Sequence, residues 1–243
     1  MKTATAFNPD IIHHNQNEHM KTYYKSYDEI AQHWVDGTIK DRAHTDRDRM
    51  FAFGQLVPGT PIVGSIYSYG YHFCISRKWV APDTGKLWYL VTLRSYSPTT
   101  RNHISKVVNA IPKDQLVYLP QVDDMTSFTP SDAVARLMPD YLIDLTSPNA
   151  TEADLGTLVL HHQIQELEAS VATYLRSRRP TNPEYSINYW YRNAQQSLAR
   201  FGLSLPARFD TLRDQCLAHS HARTVRNAEL EATYHQRRRL LAA

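Results

Sequence analysis

Between residues 26 and 119 the apolar positions change from a helical period to a strand period and back again. Ser26 and Glu29 have the spacing of a capping box. Ile30 with Trp34, and Ala31 with Val35, then form an i,i+4 apolar stripe that stops before Gly37. This predicts a first helix. Residues 41–49 alternate acid and base and read as a solvated loop or a short helix. Strands are expected at 50–53, at 65–69 and 71–80 around Gly70, and at 86–94, with the turn-rich segment 57–64 as a loop. Leu87, Tyr89, Val91 and Leu93 alternate along the last of these. Pro82, Asp83, Thr84 and Gly85 signal a turn before it, so the two flanking strands should pair as a hairpin. A second helix begins near Thr99 or Thr100, carries Ile104, Val107, Val108 and Ile111 on one face, and is stopped by Pro112. Residues 116–119 can add one more strand.

Beyond Pro120 the pattern becomes helical. Residues 131–138 read as a short helix ended by Pro139. Residues 150–179 read as one long helix with Leu160, Ile164, Leu167, Val171 and Tyr174 at alternating spacings of four and three. Pro180 and Pro183 break it; a helix over 185–201 and a third over 207–241 follow, separated by Gly202 and Pro206. The expected fold class is α+β: a small antiparallel sheet with flanking helices, followed by an α-helical hairpin or bundle. The expected division is a flexible arm over 1–22, an α+β domain over 23–120 and a helical region over 121–243.

Composition narrows this picture. Hydrophobic residues make up 42% of 243, enough for a core and against wholesale disorder. No window reaches the roughly 18 apolar residues of a membrane helix, and the polar first 20 residues lack the regions of a signal peptide, so a cytoplasmic location is expected. Cys74 and Cys216 are too few and too far apart for a disulfide framework or a cysteine zinc site. Charge is divided unevenly: residues 174–243 hold twelve arginines, no lysine and five acids, a net of +7. Residues 1–173 hold fifteen bases and nineteen acids, a net of −4. Arginine without lysine favours planar, two-pronged contacts with phosphate or carboxylate. The basic part either grips a polyanion or pairs with acidic surface of its own or a second chain.

Three constellations could carry chemistry. His72 follows one predicted strand and His103 lies near the start of the second helix. If the sheet joins them, two imidazoles could serve as acid and base on a phosphodiester, with Ser97, Thr99, Thr100 and Arg101 as anion-binding groups at the helix start. The competing explanation is a helix cap and two core histidines. Tyr67, Tyr69, Tyr71 and Phe73 share one parity if the strand is continuous, a line of rings that could stack on nucleic acid or close a core. Arg223, Arg226, Arg237, Arg238 and Arg239 could hold nucleic acid, though Glu229 and Glu231 interrupt the charge. Cys74 lies in an apolar run where thiols are buried and inert. The clusters His13-His14-His19, His161-His162 and His219-His221 lack zinc-site spacing and read as surface histidines; no metal or cofactor is expected.

The text Tyr67-Ser68-Tyr69-Gly70, His72-Phe73, then Ser95-Tyr96-Ser97, Thr99-Thr100 and His103 before an apolar helix, resembles an uncharacterised domain of phage and plasmid proteins. Ile30 to Trp34 resembles that domain's opening helix, and the likeness covers roughly residues 26–112. It departs from the pattern in the loop 57–64 and in Cys74 where proline is common. No activity attaches to that family; the resemblance implies a mobile-element protein of the bacterial cytoplasm. The expected function is therefore a non-enzymatic accessory protein that binds nucleic acid or a host protein. The rival readings are a metal-independent phosphodiesterase or nuclease using His72 and His103, and a structural protein that oligomerises through its C-terminal helices.

Overall fold

Ser26 starts helix α1 (Tyr27–Val35): its hydroxyl accepts the Glu29 N–H at 3.1 Å, while the Glu29 carboxylate accepts the Lys25 N–H at 3.0 Å. A computed structural model of the protein describes residues 21–54, 58–69, 73–94, 97–119, 122, 143–176 and 183–241. Around α1 a mixed sheet of seven strands is laid down in sequence order. The strands are β1 (Lys21–Tyr23), β2 (Arg42–His44), β3 (Met50–Phe53), β4 (Ile62–Ser68), β5 (Cys74–Val80), β6 (Leu87–Thr92) and β7 (Leu116–Leu119). Helix α2 (Pro98–Ala110) separates β6 from β7. By contact the chain divides into two compact units. The first comprises Met1–Val80, Leu87–Leu116 and Gln121–Asp123; the second comprises Ala81–Lys86, Val117–Pro120 and Asp124–Ala243.

The class is α+β as expected, but the sheet is larger than the small antiparallel one the pattern implied. Two strands account for much of the difference. β1 pairs parallel with β2, Lys21 opposite Arg42, because α1 between them supplies the crossover that parallel neighbours need. β2 itself lies in the charged run 41–49, whose alternation of acid and base predicts a loop or short helix. Only Ala43 of its three residues is buried, so strand alternation there is a single apolar position long. The pairs β2–β3, β3–β4, β4–β5 and β5–β6 are antiparallel. β5 and β6 form the predicted hairpin around the turn at Pro82–Thr84. The alternation in β6 does not mean one wet face: Trp88 and Leu90 are as buried as Tyr89 and Val91.

One face of the sheet packs under α1 and α2. Ile30, Ala31 and Trp34 from α1 join Met50, Ala52, Ile66, Ile75, Tyr89 and Val91 from the strands, with Val107 and Ile111 at the other helix. Each large apolar side chain buried this way contributes about 1.5–3 kcal/mol. Trp34 is fully buried, and its indole N–H donates to the Phe53 carbonyl at 3.2 Å. The Lys78 ammonium lies 5.2 Å from the Trp34 ring and 5.8 Å from the Tyr89 ring. It donates to the Val35 carbonyl at 3.3 Å, as the Tyr89 hydroxyl does at 3.0 Å. Burial, opposed by nearby Asp36, lowers the Lys78 pKa to about 8.

α2 begins at Pro98, not at Thr99 or Thr100: the Ser97 hydroxyl accepts the Thr100 N–H at 3.1 Å. Pro98 explains the shift, since a proline's fixed φ and missing N–H suit the first helical position. In the second unit, helices α3 (Glu152–Arg176), α4 (Pro183–Ala199) and α5 (Arg208–Leu241) form the expected helical set. Thr151 and Asp154 cap α3 reciprocally: the Asp154 N–H donates to the Thr151 hydroxyl, and the Thr151 N–H donates to the Asp154 carboxylate. The predicted seam is used: Ile164 and Leu167 pack with Tyr191, Ala194 and Phe209, and Val171 and Tyr174 pack with Ile187 and Cys216. The short helix expected at 131–138 lies outside the described residues.

Gly54 tests how tightly the first unit is built. A Cβ there would stand 1.5 Å from the Ile39 carbonyl oxygen, a backbone atom that cannot swing aside. Gly54→Ala is expected to destabilise the first unit by about 2 kcal/mol or more. Urea unfolding followed by tryptophan fluorescence measures it. Gly59→Asn, where a Cβ meets nothing within 4 Å and Asn tolerates the left-handed backbone, should leave the midpoint nearly unchanged.

Candidate functional site

Two places bring polar side chains together beyond what packing requires: the end of the sheet beside the start of α2, and the exposed length of α5. The first is built around His103. The second turn of α2 places the His103 ring over the last residue of β4, so that Ser68 Oγ and His103 Nδ1 stand 2.7 Å apart. Both residues are buried, His103 completely. The Tyr27 ring from the start of α1 meets the imidazole edge-on at 4.2 Å between centroids, and the Tyr69 ring lies tilted at 5.5 Å. Arg49, just before β3, lies close enough to Tyr27 and Tyr69 to interact electrostatically with both.

Burial, aided by the Arg49 charge, pushes the His103 pKa below its ordinary value, so the ring is neutral near pH 7. His103 Nε2 is buried without a hydrogen-bond partner among the described residues. Tyr69 leaves the strand with φ +52°, a left-handed backbone costing a non-glycine residue roughly 1–2 kcal/mol. Its N–H is fixed to the Arg49 carbonyl at 2.9 Å. An acid or base must reach a substrate proton, and neither Ser68 nor His103 offers exposed surface for that. Among the described residues the group packs against the core beneath α1 and α2. The expected partner histidine, His72, lies outside the described residues.

The anion-binding residues are similarly divided. Ser97 and Thr100 are occupied by the helix cap, their hydroxyl oxygens 3.0 Å apart and Thr100 buried. Thr99, Arg101 and Tyr69 are exposed. The row of rings is not one row: β4 ends at Ser68, Phe73 is buried in the helix-side core, and Tyr71 lies outside the described residues. Tyr67 stacks on its register partner Phe51 at 5.1 Å and 10°. The Cys74 thiol is buried and directed at the Ser76 carbonyl at 3.4 Å.

His161 and His162, read as surface residues, are both buried. α3 is covered on more than one side, with Leu155, Leu158 and Val159 buried as well as the seam, so adjacent positions both face inward. Burial lowers both of their pKa values. Among the described residues no group of three or more His, Cys, Asp or Glu could hold a metal.

α5 is the second place. Its first turns are held by Phe209 and Cys216, both buried, and the His219 ring meets Tyr174 of α3 at 6.4 Å. Two of its arginines serve the bundle: Arg208 pairs with Glu168 at 3.0 Å, and Arg213 pairs with Asp214 at 3.1 Å and lies over the Tyr191 ring. Past residue 223 every side chain described, through 238, is exposed, including Leu230 at 60% and Tyr234 at 61%. At 3.6 residues per turn, Arg223, Arg226, Asn227, Leu230, Tyr234 and Arg237 share about 100° of arc, while Glu229 and Glu231 fall on its two flanks. Arg226, Arg237 and Arg238 form no ion pair with a described residue. Arg239 lies in the helix, but its side chain is outside the described set.

The sequence reading missed Tyr27, Arg49 and Ser68, which only the fold gathers around His103. It also missed Asn227, which a helical wheel would have placed among the arginines. No family model, curated protein or solved structure matches the chain.

The buried imidazole gives a pH test. Because the folded pKa of His103 is depressed, the unfolded chain takes up its proton first as pH falls below 6.5. Stability is therefore full above 6.5 and drops as pH falls towards the folded value. His103→Gln should remove part of this loss between pH 7.5 and 5, leaving the parts due to His161 and His162; urea midpoints measure it. Ser68→Ala should cost about 1–3 kcal/mol at pH 7.5 by leaving Nδ1 without a partner.

Proposed function

We propose that this protein is a non-enzymatic accessory protein that binds nucleic acid through the exposed half of α5. One observation carries the reading: an arc free of acids presents Arg226 and Arg237, beyond the half-buried Arg223, on a stretch of helix that is exposed from residue 224 through 238. The charge is concentrated where the helix is most exposed, not where the helices pack. Arginine's planar fork suits phosphate oxygens, and a guanidinium is less strongly hydrated than an ammonium. The sheet-end group contributes little contact surface, since His103, Ser68 and Thr100 are buried. A phage or plasmid setting in the bacterial cytoplasm belongs to the same proposal and is supported by the motif's resemblance. No described helix is long and apolar enough to cross a membrane.

Fluorescence anisotropy with labelled oligonucleotides of mixed sequence, at several salt concentrations, tests this. The wild-type protein should bind with an affinity that falls steeply with salt, each phosphate contact on duplex adding about 0.9 to the log–log slope. Replacing Arg226, Arg237 and Arg238 together by Gln should weaken binding at least tenfold at about 100 mM salt and flatten that slope by roughly two to three. These residues are exposed, so the far-UV spectrum and unfolding midpoint should not move. Binding that ignores salt, or a variant that binds as well as wild type, would refute the proposal. A partner protein captured by α5 with no nucleic-acid binding would do the same.

A further inference from the structure

From the geometry of α5 we infer that its ligand is double-stranded DNA, entered through the major groove, with Asn227 and Arg223 reading base edges and Arg226 and Arg237 holding phosphates. This rests on the nucleic-acid reading above and names the form of nucleic acid. Four features of the helix lead to it.

The first is shape. A single helix with its side chains is about 10–12 Å across, close to the roughly 12 Å width of the B-form major groove. From Arg223 to Arg237 the helix advances fourteen residue steps, about 21 Å at 1.5 Å per residue. Past His219, the point where Tyr174 of α3 meets α5, its side chains are almost all exposed around the circumference, as a helix lying inside a groove requires. The deep, narrow major groove of A-form RNA does not admit such a rod.

The second is the chemistry of the arc. Single-strand binding relies on several rings set in a basic groove. The α5 arc carries one ring, Tyr234, and the sheet's Tyr67 is stacked on Phe51. What the arc holds instead is Asn227 one turn from Arg223. These are the two side-chain types that recognise adenine and guanine by paired hydrogen bonds in the major groove.

The third is that Asn227 has no local employment. Asparagine is a poor helix former, and here it sits mid-helix, exposed, without a hydrogen bond to a described residue. The neighbouring threonines differ: the Thr224 hydroxyl donates to the Ser220 carbonyl at 3.2 Å and that of Thr233 to the Glu229 carbonyl at 2.8 Å. Their side chains serve the helix. That of Asn227 does not.

The fourth feature disfavours a second copy of the chain as the occupant. Leu230 and Tyr234 continue the side of α5 on which Leu212 and Cys216 are packed, and could have been the start of a helix–helix seam. Two copies meeting on this face would set three arginines against the same three with no acid between them, since Glu229 and Glu231 lie on the flanks. A polyanion reverses the sign of that repulsion.

The full-length protein is titrated, at about 150 mM salt, against a random-sequence duplex DNA pool, the same pool as single strands, and a duplex RNA of equal length. Duplex DNA should bind at least tenfold more tightly than either of the others. A preferred duplex is then selected from the DNA pool and remade with 7-deazapurines, which lack the N7 acceptor of the major groove but keep the backbone. Its affinity should fall about tenfold, while Asn227→Ala should lose the preference for that duplex over the pool and keep the salt slope. Equal or tighter binding to single strands or RNA, or indifference to the 7-deazapurines, overturns the inference and leaves the nucleic-acid reading standing. No binding to any of the three overturns both.

Discussion

Trp34 must be buried and its indole N–H must find an acceptor, and these two demands set how α1 lies on the sheet. The side chain sits in the core, and its nitrogen reaches the Phe53 carbonyl at the end of β3. Space for it comes from Gly64 on β4, where a Cβ would stand 3.0 Å from the same carbonyl oxygen and 3.3 Å from the indole nitrogen. The face of the ring receives the Lys78 ammonium, which with the Tyr89 hydroxyl also satisfies the last carbonyl of α1. A helix end that would otherwise leave orphan acceptors over a buried sheet is thus closed by side chains rising from β5 and β6. That arrangement holds a partly desolvated cation, its charge opposed by burial and supported by the rings and by Asp36.

At the other end of the same sheet the polar groups Ser68 and His103 are buried against the core. Ser68, His103 and Tyr27 come from β4, α2 and α1, Tyr69 and Arg49 from the residues just after β4 and just before β3, and they are connected by a hydrogen bond, two ring contacts and a cationic neighbour. The imidazole is kept neutral because a charge there would be buried beside another positive group. His161 and His162 in the second unit are shifted in the same direction by their own burial.

The second unit is organised on a different principle. Its three helices bury an alternating seam, and His161 and His162 are drawn inside because α3 is covered on several sides. Its last helix then runs past the point where α3 meets it. A long helix without packing partners is marginal in water unless something covers it. On that length arginine occurs without lysine, and the acids Glu229 and Glu231 lie at the flanks of the arginine arc.

Much of what local pattern sets was legible in the amino-acid order, although the cap of α2 is Ser97 and not one of the threonines after it. The capping box at Ser26, the stripe from Ile30 to Trp34, the turn at Pro82–Thr84 and the seam through Leu160, Ile164 and Leu167 were all legible, because each depends on residues within one or two turns of one another. The imbalance of arginine was equally plain. The rest was decided in three dimensions. The parallel β1–β2 pair depends on a crossover, and the burial of Trp88 and His162 depends on how many sides of an element are covered. The environment of His103 depends on Ser68, thirty-five residues away. None of these has a period to read. Contacts between distant segments follow from where the whole hydrophobic surface finds cover, and that is a property of the folded chain, not of any stretch of it.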